Sequence, residues 1–179
     1  FDIPPGTMNM KIGIDDSAII EISTEDSDTD SHIVEDGKKY VHKEIPTIKA
    51  HFVEHEEALG LGHAIQVAIP TFDDDEIFII LGDTIFDVDL KKVFLKKKSS
   101  LGVKMVDDPS RFGVAVCENE KIIKLIEKPK ALISKLALVG LYYITNSNVL
   151  KDSLNELFSK KIMTRGEYQL TDALQIMID

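Results

Sequence analysis

Ile77-Phe78-Ile79-Ile80-Leu81 is an uninterrupted apolar run that ends on Gly82-Asp83. A short run of this kind, with no polar residue on either side of the pleat, predicts a strand buried on both faces. Such a strand belongs to a layered α/β fold. Its C-terminal tip is where open α/β sheets bind ligands. A carboxylate there can hold a divalent metal beside a phosphate. The plainer alternative is that Asp83 caps the following turn.

The rest of the chain from Lys49 onward is regular. Ile48, Ala50 and Phe52 alternate as in a strand. Gly60-Leu61-Gly62 opens a helix carrying Ala64, Ile65, Ala68 and Ile69, which Pro70 stops. A helix starts at about Asp89, and Leu101 to Val106 is a strand. Gly113–Cys117 and Ile122–Ile126 pair around the turn Glu118-Asn119-Glu120-Lys121. Val139–Ile144 is another buried strand. Ser147 caps a helix with Val149, Leu150, Leu154, Leu157 and Phe158 on one face, and a last helix begins near Tyr168. This alternation predicts an α/β fold: a mixed, mostly parallel sheet with helices on both faces. The apolar side chains of the strands at 77–81, 101–106 and 139–144 are expected to be buried, and the loops after them to share one cleft.

Acidity is uneven. Residues 1–36 hold ten acids and one base, whereas the remainder is nearly balanced. The overall charge of −10 therefore describes the first segment, and no basic stripe offers itself to nucleic acid. Two parts follow: an acidic, atypical segment 1–36 and a domain at 37–179. In the first, Ile12, Ile14, Ile20 and Ile22 suggest one or two strands, and 25–36 a solvated loop. Asp26, Asp28 and Asp30 have the spacing of a calcium loop, but Ser31 and Gly37 stand where glycine and glutamate are required. The single cysteine, Cys117, excludes an internal disulfide. It reads as a packed or edge-strand thiol. With no bilayer-spanning run and no signal-peptide pattern, a cytoplasmic protein without membrane contact is expected. A homo-oligomer stays open.

Several short features occur in a fixed order: Leu59-Gly60 leading into Gly62-His63-Ala64; Leu81-Gly82-Asp83; Asp108 to Val114; Glu127-Lys128-Pro129; Gly140-Leu141-Tyr142-Tyr143; and Gly166-Glu167-Tyr168-Gln169-Leu170-Thr171-Asp172-Ala173. Over about residues 48–179 this series resembles the sugar-1-phosphate nucleotidyltransferases, the nucleotide-sugar pyrophosphorylases that include glucose-1-phosphate thymidylyl- and uridylyltransferases. The resemblance implies a nucleotide-diphospho-sugar transferase-like, Rossmann-like fold. It also implies an enzyme that transfers a nucleoside monophosphate from a nucleoside triphosphate to a sugar 1-phosphate, releasing pyrophosphate, with Mg²⁺ as cofactor.

It further implies roles for residues. Gly60 lets the nucleobase lie against the backbone, and Asp83 coordinates Mg²⁺. Gly113 offers backbone to the sugar, and Glu127 accepts from its hydroxyls. Lys128 neutralises its phosphate, Gly140 and Tyr142 line its pocket, and Glu167 is a further acceptor. Lys128 and Asp83 carry the catalysis. Each has a plainer counterpart. Glu127-Lys128-Pro129 could be a charged strand end, and Gly166-Glu167 a helix start. At least one of Tyr142 and Tyr143 is expected in the core. His63 reads as structural, and Asp172 as a helix-surface residue. Asp87-Val88-Asp89, which hints at a metal-dependent glycosyltransferase, reads more simply as a helix start capped by Asp89.

The family's Gly-x-Gly-x-x-Arg loop has no counterpart here. Pro4-Pro5-Gly6-Thr7 lacks the arginine. Two expectations follow: a partial nucleotidyltransferase domain, or a non-catalytic relative that binds sugar nucleotides without the triphosphate loop.

Overall fold

The computed structural model describes residues 8–12, 17–23, 49–55, 57–72 and 76–179. The acidic run 25–36 with Asp26, Asp28 and Asp30, the tetrapeptide Pro4–Thr7, Ile14 and Ile48 lie outside the described residues. The chain order is β1 (Met8–Ile12), β2 (Ser17–Ser23), β3 (Lys49–His55), α1 (Leu61–Ala68), a 3₁₀ turn (Ile69–Thr71), β4 (Ile77–Leu81), α2 (Leu90–Leu95), β5 (Ser100–Met105), β6 (Gly113–Glu118), β7 (Lys121–Glu127), β8 (Leu136–Ile144), α3 (Ser147–Ser159) and α4 (Leu170–Ile178). Among the described residues no helix is long and apolar enough to cross a membrane.

The strands form one sheet in the order β3-β2-β1-β4-β8-β6-β7, with β5 on the other edge of β8. The expectation of a mostly parallel sheet is wrong: only β2 with β3 is parallel, and every other described pairing is antiparallel. The cause lies in neighbour order. β4 and β5, linked through α2, do run in the same direction. However, β8 comes back between them and pairs antiparallel with both. The loop after β8 therefore lies at the opposite end of the sheet from the loops after β4 and β5, and the three loops do not share one cleft as expected. A helical crossover sets the relative direction of the strands it joins and does not make them neighbours.

Helices cover both faces, as expected. On one face Ile65 of α1, Leu150, Leu154 and Leu157 of α3, and Leu170, Ala173 and Leu174 of α4 pack on Ile77, Ile79, Tyr142 and Ile144. On the other, Leu90, Val93 and Phe94 of α2 cover Phe78, Leu141 and Tyr143. The period-2 alternation of a strand puts Tyr142 and Tyr143 into opposite layers, and both are buried. The Tyr143 hydroxyl donates to Glu76 Oε2 at 2.6 Å, and Lys97 reaches Glu76 Oε1 at 3.0 Å.

Three local expectations change. β5 is an edge strand with one neighbour, so Val103 and Met105 face outward and are exposed. The cap of α3 is Asn146, whose side chain accepts from the Asn148 amide at 3.0 Å, while Ser147 is buried inside the first turn. Val149 lies off the apolar stripe of that helix and is exposed. Asp89 does cap α2, accepting from the Lys92 amide. The hairpin β6–β7 turns where expected. Its central residues Asn119 and Glu120 have φ +48° and +63°, the pattern of a tight two-residue hairpin turn.

Candidate functional site

The tip of β4 is pinned from β8. Thr84 donates its amide to Leu81 O and its hydroxyl to Val139 O, both at 3.0 Å. Beside it Gly140 adopts φ +75°. A Cβ there would run into Thr84 Oγ1 and come within 2.9 Å of Leu81 Cγ. Glycine is thus required twice at this position, for backbone and for space. The clasp holds the Gly82-Asp83 turn in place, with Asp83 exposed at its surface.

The open end of the β6–β7 hairpin forms a second part. Gly113 and Glu127 are register partners. The Glu127 side chain is only 7 % exposed, and its Oε2 accepts the Thr171 hydroxyl at 2.7 Å. Two neighbours on a strand point to opposite faces, so Glu127 and Lys128 can serve one ligand only if the backbone turns between them. It does turn. Lys128 has φ +41°, a conformation unusual for any non-glycine and disfavoured further before proline. Its amide donates to Phe112 O at 3.0 Å, and its carbonyl accepts from Arg165 Nη2 at 3.2 Å. Its ammonium comes back to 3.6 Å from Glu127 Oε1. Backbone strain of this sort costs on the order of 1–3 kcal/mol and is retained where the surrounding contacts enforce it.

A third part joins the start of α1 to the approach to α4. The Tyr168 amide donates to Leu59 O, and the Gly62 amide to Tyr168 O, both at 2.8 Å. Gly60 has φ +103°, and a Cβ on it would meet Tyr168 O at 2.7 Å. The two chain segments lie too close for a side chain to intervene, which gives Gly60 a structural reason of its own. Arg165 and Gly166 both take positive φ, carrying the chain back so that Glu167 bridges to Thr164. Glu167 is exposed, and its Oε2 accepts from Gln169 Nε2 at 2.6 Å.

Tyr142 connects these parts. Its hydroxyl pKa is pushed well up, first by burial and then by the negative charges of Glu127 and Asp83. The phenol therefore lies within the field of both carboxylates and stays protonated, a donor. Thr171 and Arg165 bind the Glu167-bearing segment to Glu127 and Lys128. Asp83, Tyr142, Glu127, Lys128 and Glu167 are thus linked to one another around the tip of β4, the end of β7 and the middle of β8. A separate cleft of about 1030 Å³ opens elsewhere, lined among others by Leu101, Cys117, Ile122, Val149 and Ile178, and contains none of them.

Among the described residues no three His, Cys, Asp or Glu side chains gather into a metal-binding group. Asp83 offers one exposed carboxylate. Mg²⁺ is commonly held by one or two carboxylates completed by water and substrate phosphates, so the donor set fits that ion and no all-protein cage.

Sequence reasoning gave no role to Thr84, Arg165 or Thr171; Arg165 bonds Lys128 and Thr171 bonds Glu127, while Thr84 pins the β4 tip to β8. The same reasoning placed Asp172 on the helix surface. Asp172 is half-buried, burial raises its pKa, and its Oδ2 has no hydrogen-bond partner. The His63 ring lies 5.7 Å from that of Phe158, and its Nδ1 is 3.2 Å from Glu57 O. Cys117 is exposed near the hairpin turn rather than packed.

Residues 5–179 match the family described as nucleotidyl transferase. The chain belongs to that family. Over 138 residues it is 41% identical to the bifunctional protein GlmU of Methanocaldococcus jannaschii, covering 76% of this chain and 31% of that protein. Over 136 residues it is 33% identical to the glucose-1-phosphate thymidylyltransferase of Streptomyces antibioticus, covering 72% and 36%. A solved UDP-glucose pyrophosphorylase complexed with UDP-glucose superposes with a TM-score of 0.66 at 25% identity, covering 84% of this chain and 62% of that one. The nucleotidyl transferase chain therefore spans about a third of the length of the curated relatives it matches.

Proposed function

We propose that this nucleotidyl transferase contributes the sugar-phosphate side of a sugar-1-phosphate nucleotidyltransferase site. Residues 37–179 form the transferase-type part, and residues 1–36 an acidic segment of atypical composition that supplies β1 and β2. The observation that carries the reading is the turned-back Lys128, whose ammonium and the Glu127 carboxylate address the same side of the chain. The relatives that make or hold nucleotide sugars support it.

In the reaction, the sugar 1-phosphate attacks the α-phosphorus of a nucleoside triphosphate in line and pyrophosphate leaves. The attacking oxygen is already ionised, so the protein supplies position and charge rather than a general base. Lys128 places a fixed cation on the sugar phosphate. Glu127 and Glu167 accept from ring hydroxyls, and the protonated Tyr142 donates beside them. Gly60, Gly113 and Gly140 keep the backbone close enough for base and sugar to approach. Asp83 would hold Mg²⁺, which supplies neutralisation of the phosphate charge. The location is the cytoplasm, where a lone thiol such as Cys117 stays reduced.

The test is pyrophosphate release by the full-length protein given Mg²⁺, a nucleoside triphosphate and a panel of sugar 1-phosphates. Release that depends on one sugar 1-phosphate supports the reading. Tight binding of a nucleotide sugar with no pyrophosphate formed from any sugar of the panel would favour a non-catalytic binding relative.

A further inference from the structure

The Glu127 carboxylate is held in an asymmetric setting. Oε2 is taken by the Thr171 hydroxyl at 2.7 Å. Oε1 faces the Lys128 ammonium at 3.6 Å, an ion-pair distance too long for a hydrogen bond. An ionised carboxylate has about four lone-pair directions, so Oε1 is the oxygen with open accepting capacity on the ligand side. Thr171 is buried, on the first turn of α4, and cannot follow a moving partner. Gly113 closes the third side. A Cβ there would stand 2.6 Å from Thr171 Oγ1 and 2.9 Å from Glu127 Oε2. The hydroxyl, the carboxylate and the glycine Cα therefore pack closely on one side, and the hydrogen bond from Thr171 fixes which oxygen of Glu127 faces the helix.

We propose that Thr171 is the positioning residue of the sugar site: its hydroxyl ties up one oxygen of Glu127 so that the other meets a sugar hydroxyl at a single angle. This rests on the proposed sugar-phosphate function and goes beyond it by saying how one hydroxyl of the sugar is selected. Without the tie the carboxylate can rotate onto the Lys128 ammonium and close as a bidentate ion pair. That rotation withdraws acceptor and cation from the ligand together. Loss of the tie should therefore weaken the sugar phosphate and leave the nucleoside triphosphate alone.

The experiment uses the full-length protein carrying Thr171→Val, which keeps shape and removes the hydroxyl, or Thr171→Ser, which keeps the hydroxyl. KM is measured separately for sugar 1-phosphate and nucleoside triphosphate, alongside the direct Kd of the sugar 1-phosphate. Thr171→Val should raise KM and Kd for the sugar 1-phosphate roughly ten-fold, leave KM for the triphosphate within about two-fold, and be rescued by Thr171→Ser. In a Glu127→Gln background the valine substitution should add little further loss, because the shared partner has changed.

Equal rises in both KM values, or the same loss for serine as for valine, would make Thr171 a packing residue and overturn the proposal. So would an unchanged sugar Kd in Thr171→Val. If the unsubstituted protein binds no sugar 1-phosphate of the panel, the functional reading fails first and this inference with it.

Discussion

Replacing Gly140 by alanine tests whether the clasp between β8 and the β4 tip is as tight as the geometry says. Two costs apply. An alanine at φ +75° occupies the left-handed region at about 1–2 kcal/mol. Its Cβ would also press on Thr84 Oγ1, which is committed to Val139 O, and on Leu81 at 2.9 Å. Overpacking of that kind costs typically about 1–3 kcal/mol. Together they predict a loss of about 2–5 kcal/mol. Gly166 is the internal control, because it has φ +86° but no atom within 4 Å of an added Cβ. Gly166→Ala should cost only the backbone share, about 1–2 kcal/mol. Urea denaturation of the two variants in the full-length protein, followed by far-UV circular dichroism, gives the difference. Gly140→Ala must be the more damaging. Equal losses would mean that Thr84 and Leu81 move aside freely, and the argument that this clasp fixes Asp83 would fall.

Three further outcomes are expected. Lys128→Ala should weaken sugar 1-phosphate binding about ten-fold or more, through a lost charge-assisted contact, and change binding of the unphosphorylated sugar little. Calorimetry with both ligands checks this. Asp83→Asn should abolish the Mg²⁺ dependence of nucleotide-sugar binding, whereas metal alone should bind weakly to either form; a titration with and without Mg²⁺ reads it. Glu76 has its pKa lowered first by the Tyr143 hydroxyl and then by Lys97. The stability it contributes is therefore present above the unfolded value of 4.5 and lost as pH falls through the lowered one. Tyr143→Phe should make that acid loss shallower, as seen in urea midpoints taken from neutrality to below pH 4.5.

Much of the fold was legible because one-dimensional patterns carry it. The apolar run 77–81, the hairpin at 118–121 and the apolar stripe Leu150, Leu154 and Leu157 all appear where the residue patterning puts them. Strand neighbours were not legible. Alternating elements reveal that β4 and β5 run the same way, but only tertiary packing inserts β8 between them. The exposure of Val103 and Met105 follows from that same edge placement, which a run of apolar residues cannot signal. At the site, the ordered motifs pointed to Glu127, Lys128, Gly140 and Tyr142. Their supports stayed hidden because a threonine on a first helical turn, or an arginine in a loop, looks ordinary in sequence. Thr171 and Arg165 acquire meaning only from the 2.7 Å and 3.2 Å bonds that join distant segments.

The most direct test of the central claim is a crystal structure of the full-length protein with a nucleotide sugar and Mg²⁺. The account predicts the sugar at the end of β7, beside the tip of β4 and the middle of β8, with Glu127 Oε1 accepting from a ring hydroxyl and Lys128 Nζ on the sugar-side phosphate. A nucleotide sugar seated in the cleft lined by Leu101, Cys117 and Ile178, with Glu127 and Lys128 untouched, would contradict it.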